Sequence, residues 1–101
     1  MQVVPLKNIP NQSFYITLND VDYRIVVRTM QGLTFLSVFV NGVPLFYNQL
    51  CTPNAFINPY SYVSINGKFY FGCLDEEYPN YKQFGITQNL YFLTNSEVAA
   101  L

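Results

Sequence analysis

Apolar residues in this chain recur at every second position, and no run of about 11 residues repeats them at helical spacing. Side chains of a strand alternate between its two faces, so period two predicts half-buried strands. Phe14, Ile16 and Leu18 fall on one face and Ser13, Tyr15 and Thr17 on the other. Asn19-Asp20-Val21-Asp22 reads as turn chemistry, and Tyr23, Ile25 and Val27 then alternate with Arg24, Val26 and Arg28 as the second arm of a hairpin. Met30-Gln31-Gly32 turns the chain into Leu33 to Val40, apolar on both faces and therefore the expected central strand. Asn41-Gly42 follows, the pair that best tolerates the two positive φ angles of a type I′ hairpin. Val43 to Tyr47 returns, and Pro44, having no amide donor, confines that return to an edge or to partial pairing.

The second half is less regular. Asn48 to Pro59 reads as an ordered loop, Tyr60 to Ile65 as a short strand, Asn66-Gly67 as a second hairpin turn, and Lys68 to Leu74 as a strand with Phe69, Phe71 and Cys73 on one face. Asp75 to Phe84 reads as an exposed loop or one helical turn closed by Gly85, and Asn89 to Leu93 as the last strand. Gln2 to Leu6 is a first strand that Pro5 restricts to an edge. The expectation is one all-β domain over residues 1–101, a small antiparallel barrel or sandwich of six or seven short strands in contiguous meander pairing, with a short tail at 94–101 that is helical only if docked.

Chemistry is scarce. With no histidine, the commonest general base and the commonest neutral metal ligand are both missing, so no catalytic, metal or cofactor site is expected. Cys51 and Cys73 are too few for a disulfide scaffold and read as small core hydrophobes. Asp75-Glu76-Glu77 lacks the alternating ligands of a calcium loop and reads as a solvated turn. Asn11-Gln12-Ser13 matches a glycosylation sequon by chance. A net charge of -1 excludes a phosphate-binding footprint, and no apolar run is long enough to span a bilayer or to serve as an export signal. Neither nucleic acid, membrane nor a small-molecule substrate is expected as a partner, and synthesis is expected in the cytoplasm.

Composition points instead to contact with protein. Charged residues are 11% of the chain, against about a quarter in ordinary soluble domains, while aromatics are 18%. Depleted charge with surplus tyrosine is the mark of a buried interface centre. Tyr60, Tyr62, Tyr70, Tyr78, Tyr81 and Tyr91 lie among asparagines, and Tyr60, Tyr62, Tyr78 and Tyr81 are the candidate interface residues. Pro79 and Asn80 would pre-organise the Tyr78–Tyr81 loop, either to present both tyrosines or to fold them over the chain's own core. The alternative use of such tyrosines is a carbohydrate-binding platform for host-surface recognition.

Pro5-Leu6, Ile9-Pro10-Asn11-Gln12 and Phe14, Tyr23 to Thr29, Leu33 to Val40 with Asn41-Gly42 and Pro44-Leu45, and Cys51, Pro53-Asn54 and Pro59-Tyr60 come in an order and spacing shared with a known family. Tyr78-Pro79-Asn80-Tyr81, Phe84-Gly85 and Leu90 to Leu93 continue the match. Over most of residues 5–93 the chain resembles the small baseplate plug proteins of contractile-tailed phages, described for a cyanophage. The resemblance implies a non-enzymatic structural virion protein at the hub end of the tail baseplate, contacting hub, tube or sheath-associated proteins and needing no cofactor. Thr94 to Leu101 looks like an addition to the family's usual end.

Overall fold

The structure is a computed structural model that describes residues 1–57 and 67–100. Among them are eight strands: β1 (Gln2–Val4), β2 (Gln12–Leu18), β3 (Val21–Met30), β4 (Leu33–Val40), β5 (Val43–Leu50), β6 (Ala55–Phe56), β7 (Gly67–Cys73) and β8 (Gln88–Thr94). A 3-10 turn at Tyr81–Gln83 and helix α1 (Asn95–Ala99) complete them. The strands form two four-stranded antiparallel sheets, in the orders β2-β3-β4-β5 and β1-β8-β7-β6, with no closed barrel. The all-β expectation holds, and the choice between barrel and sandwich falls to the two-sheet arrangement.

The first sheet is a meander because three successive connections are two-residue turns with both residues at positive φ: Asn19 and Asp20, Gln31 and Gly32, Asn41 and Gly42. Their hand matches the twist of the flanking strands, so each fixes its hairpin's register. The first turn is tighter than the four residues read from the sequence, since Val21 already pairs with Leu18. β5 is an edge strand, as Pro44 requires, but it runs on to Leu50 and takes Asn48 to Leu50 out of the expected loop. Two register shifts bend it, one of them where Asn48, at φ 47°, donates its amide to the hydroxyl of buried Ser37 at 2.8 Å. That side-chain bond takes the place of a ladder bond at the bulge.

The second sheet departs from simple meander pairing. β1 pairs with β8, the last strand, bringing the two ends of the chain together. Such pairing is set by burial of Val4 rather than by any local turn. Gly67, read as half of a hairpin turn, is instead the first residue of β7, opposite Thr94. A Cβ there would lie 2.2 Å from the Leu93 carbonyl oxygen, so the glycine serves close strand approach. Asn66 and the strand expected at Tyr60 to Ile65 lie outside the described residues. The tail is docked: Thr94 and Glu97 form a reciprocal capping box on α1, and the Met1 ammonium pairs with Glu97.

Both sheets turn their apolar faces to one core. Tyr23 of β3 meets Phe69 of β7 edge-on at 5.8 Å and Phe92 of β8 at 5.8 Å, and Phe46 of β5 meets Phe69 at 6.3 Å. Ile25, Val27, Leu36 and Val38 from one sheet and Phe71, Leu90 and Phe92 from the other are buried together. Each such side chain contributes about 1.5–3 kcal/mol by leaving water. Cys51 and Cys73 are buried free thiols in the same cluster. Burial is the chief cause that raises both above the ordinary thiol value, Cys73 to about 11.

Candidate functional site

Several of the described connections meet at one end of the sandwich. Residues 74–87 between β7 and β8 lie there, joined to the β3–β4 hairpin by the Thr34 hydroxyl, which donates to the Pro79 carbonyl at 2.7 Å. The N-terminal segment is joined too, because the Asn8 side-chain amide donates to the carbonyls of Tyr81 (3.1 Å) and Phe84 (2.7 Å). The Thr29 hydroxyl in turn holds the Pro10 carbonyl at 2.7 Å.

This loop is ordered by one buried side chain. Gln88, fully buried at the start of β8, accepts from the Asn80 amide at 2.8 Å and donates to the Tyr78 carbonyl at 3.3 Å. Its amide also reaches the Asp75 carboxylate at 3.4 Å, which accepts from the Glu77 amide (3.1 Å) and the Thr87 hydroxyl (2.9 Å). The Glu77 amide is the main cause that holds the Asp75 carboxyl below its usual range, with Thr87 and Gln88 assisting. Asn80 caps the 3-10 turn by accepting from the Lys82 amide at 3.0 Å. The acidic run is thus a hydrogen-bonded turn, with Glu76 at φ 57°. Among the described residues no cluster of His, Cys, Asp and Glu is able to hold a metal ion.

The candidate tyrosines separate. Pro79 is buried, Tyr78 stands outward with half its surface exposed, and Tyr81 packs partly buried against the core. Tyr60 and Tyr62 lie outside the described residues. On the same loop as Tyr78 the structure exposes apolar residues that sequence reasoning passed over: Leu74 is 84% exposed and Ile86 66%, with Ile9 exposed in the N-terminal connection and Met30 at the end of β3. The Leu74 amide donates to the carbonyl of Thr87, the residue after Ile86, at 2.8 Å. The overlooked signal was an aliphatic residue set among turn residues, as Ile86 is beside Gly85.

Tyr70 and Tyr91 are half-buried on the outer face of the second sheet. Tyr91 lies across Gly72, where a Cβ would come within 2.8 Å of its ring. Phe56 and Tyr70 meet at 71° and Tyr70 and Tyr91 at 44°, so these rings pack on one another instead of presenting the parallel faces of a sugar platform. The first sheet carries Tyr15 and Tyr47 outward, with Arg24 over the Phe39 ring at 5.5 Å.

The family described as Cyanophage baseplate Pam3 plug gp18 matches residues 1–96. No curated protein matches the chain.

Proposed function

Since this chain belongs to the cyanophage baseplate plug family and is a structural component of the phage tail baseplate, we propose that it is held there by protein–protein contacts made through its loop end, as one all-β unit and without catalysis. The observation that carries this reading is the exposure of Leu74, Tyr78 and Ile86 on a loop already fixed by Gln88. Exposed apolar residues lose water on docking, and a loop ordered beforehand has little entropy left to lose. Tyrosine adds large contact area with few rotatable bonds. Tyr81 contributes from beneath, by holding the loop to the core. The partners are other baseplate proteins of the hub, tube or sheath. Nucleic acid is disfavoured by the scatter of the five basic residues: Arg24 and Arg28 lie on one sheet, Lys68 on the other, and Lys7 and Lys82 in connections.

The test is the double substitution Tyr78→Ser with Ile86→Ser, followed by capture of purified baseplate proteins and by rescue of virions lacking the native chain. Both side chains are exposed, so the melting temperature should hold while capture and rescue fail. Undiminished capture by a folded double variant would refute the loop end as the contact.

A further inference from the structure

Of the four sheet edges among the described residues, three are blunted. β1 is three residues long and is followed by Pro5, β6 is two residues long, and β5 carries Pro44 and two register shifts. β2 has none of these devices: it pairs with β3 residue for residue over all of Gln12–Leu18 and contains no proline, glycine or charge. An open edge of this kind is a template for another strand, and proteins ordinarily protect it with short strands, prolines, bulges or charges.

The turn decides which groups are free. Leu18 and Val21 flank the two-residue turn and form its bonded pair, so alternation directs the amides and carbonyls of Gln12, Phe14 and Ile16 to β3 as well. Those of Ser13, Tyr15 and Thr17 point away from the sheet. Among the described residues no backbone bond from another segment reaches these three.

We propose that β2 is a self-association edge, on which a second copy of this chain lays its own β2 antiparallel with Tyr15 opposite Tyr15, joining two four-stranded sheets into one. The sequence is complementary to itself in that register. Tyr15 meets Tyr15, Phe14 meets Ile16 and Ser13 meets Thr17, which are the aromatic, aromatic with β-branched, and hydroxyl pairs that stabilise neighbouring strands. Ser13, Tyr15 and Thr17 are also the residues with free backbone groups, so the Tyr15–Tyr15 and Ser13–Thr17 pairs are bonded ones, and the Phe14–Ile16 pairs lie between them as non-bonded ones.

Charge agrees with the same register. Arg24 leans from β3 towards β2, its Nε 3.3 Å from the Ser13 hydroxyl, and Asp22 accepts from the Thr17 hydroxyl. With Ser13 opposite Thr17 of the second copy, the row towards which Arg24 leans continues through Thr17 to the second copy's Asp22, so unlike charges flank the paired β2 strands. The twofold axis makes that attraction twice. A foreign strand would have to reproduce this pattern, whereas a second copy supplies it. The edge lies along the side of the sandwich, so its failure leaves the loop-end assignment standing.

Sedimentation equilibrium and disulfide trapping test the proposal on the full chain. The expected mass is twice 11.7 kDa. Tyr15→Cys should cross-link to itself under mild oxidation, because bonded antiparallel partners have Cα atoms about 5.5 Å apart, within disulfide reach. Ser13→Cys alone should not, since its copies lie roughly 13 Å apart, while a mixture with Thr17→Cys should. Arg24→Asp should weaken the dimer, and adding Asp22→Arg should restore it. The native thiols are buried and do not compete. A chain that stays monomeric at every concentration, including one whose β2 pairs only with a different baseplate protein, overturns the proposal. So does a dimer in which Ser13→Cys cross-links to itself and Tyr15→Cys does not.

Discussion

Replacing Gln88 by leucine tests whether the 74–87 loop is fixed from beneath. Leucine is close in volume and the site is fully buried, so no cavity opens, but the Asn80 amide loses its acceptor at 2.8 Å and the Tyr78 carbonyl its donor at 3.3 Å. Each bond contributes about 0.5–1.5 kcal/mol, so the pair amounts to roughly 1–3 kcal/mol, more if the orphaned groups stay out of water. For a domain of this size the melting temperature should fall by roughly 5–20 °C. Thermal unfolding followed by circular dichroism measures that fall. Amide hydrogen exchange localises it: residues 76–81 should exchange faster while the Tyr23, Phe71 and Phe92 amides keep their protection. A melting temperature within about 1 °C of the parent, with the Asn80 amide equally protected, would refute the reasoning, because a bracket worth so little holds nothing.

Tyr78→Ser should leave stability unchanged, whereas Tyr81→Ser should lower it by about 1–3 kcal/mol, read from urea unfolding, since only Tyr81 packs on the core. Gly42→Val forces a β-branched residue to φ 78° and should cost about 1–2 kcal/mol in the same assay, with an unchanged midpoint counting against the turn. Cys51 and Cys73 should resist a thiol reagent until unfolding, and fast native labelling of both would contradict their burial. The raised Cys73 thiol favours the folded state fully below its ordinary value of 9.0 and loses that contribution as pH rises through about 11, so unfolding midpoints should fall across that window and fall less in Cys73→Ala measured against its own neutral midpoint. The depressed Asp75 carboxyl works in the opposite sense, its contribution present above its ordinary value of 3.8 and lost as pH drops below it, so exchange at Glu77 should quicken in acid.

The first sheet was legible because its information is local. Asn19-Asp20, Gln31-Gly32 and Asn41-Gly42 fix hairpins over two residues each, and Pro44 announces an edge. The second sheet was not, because β1 meets β8 across nearly the whole chain and no turn residue encodes that pairing. Gly67 misled for a physical reason: glycine serves close backbone approach as well as positive φ, and the two uses look alike in sequence. The loop end was half legible. Pro79 and Asn80 predict order, yet the residue that supplies most of it, Gln88, looks like an ordinary polar strand position until its burial is known. Leu74 and Ile86 were passed over because tyrosines drew the interface reading, although exposed aliphatic residues serve docking equally well.

The most direct measurement of the central claim is a cryo-electron microscopy map of the tail baseplate in the intact virion. The account predicts density for this two-sheet chain with Leu74, Tyr78 and Ile86 buried against a neighbouring baseplate subunit. A baseplate in which the chain is present but residues 74–87 face open solvent would contradict it.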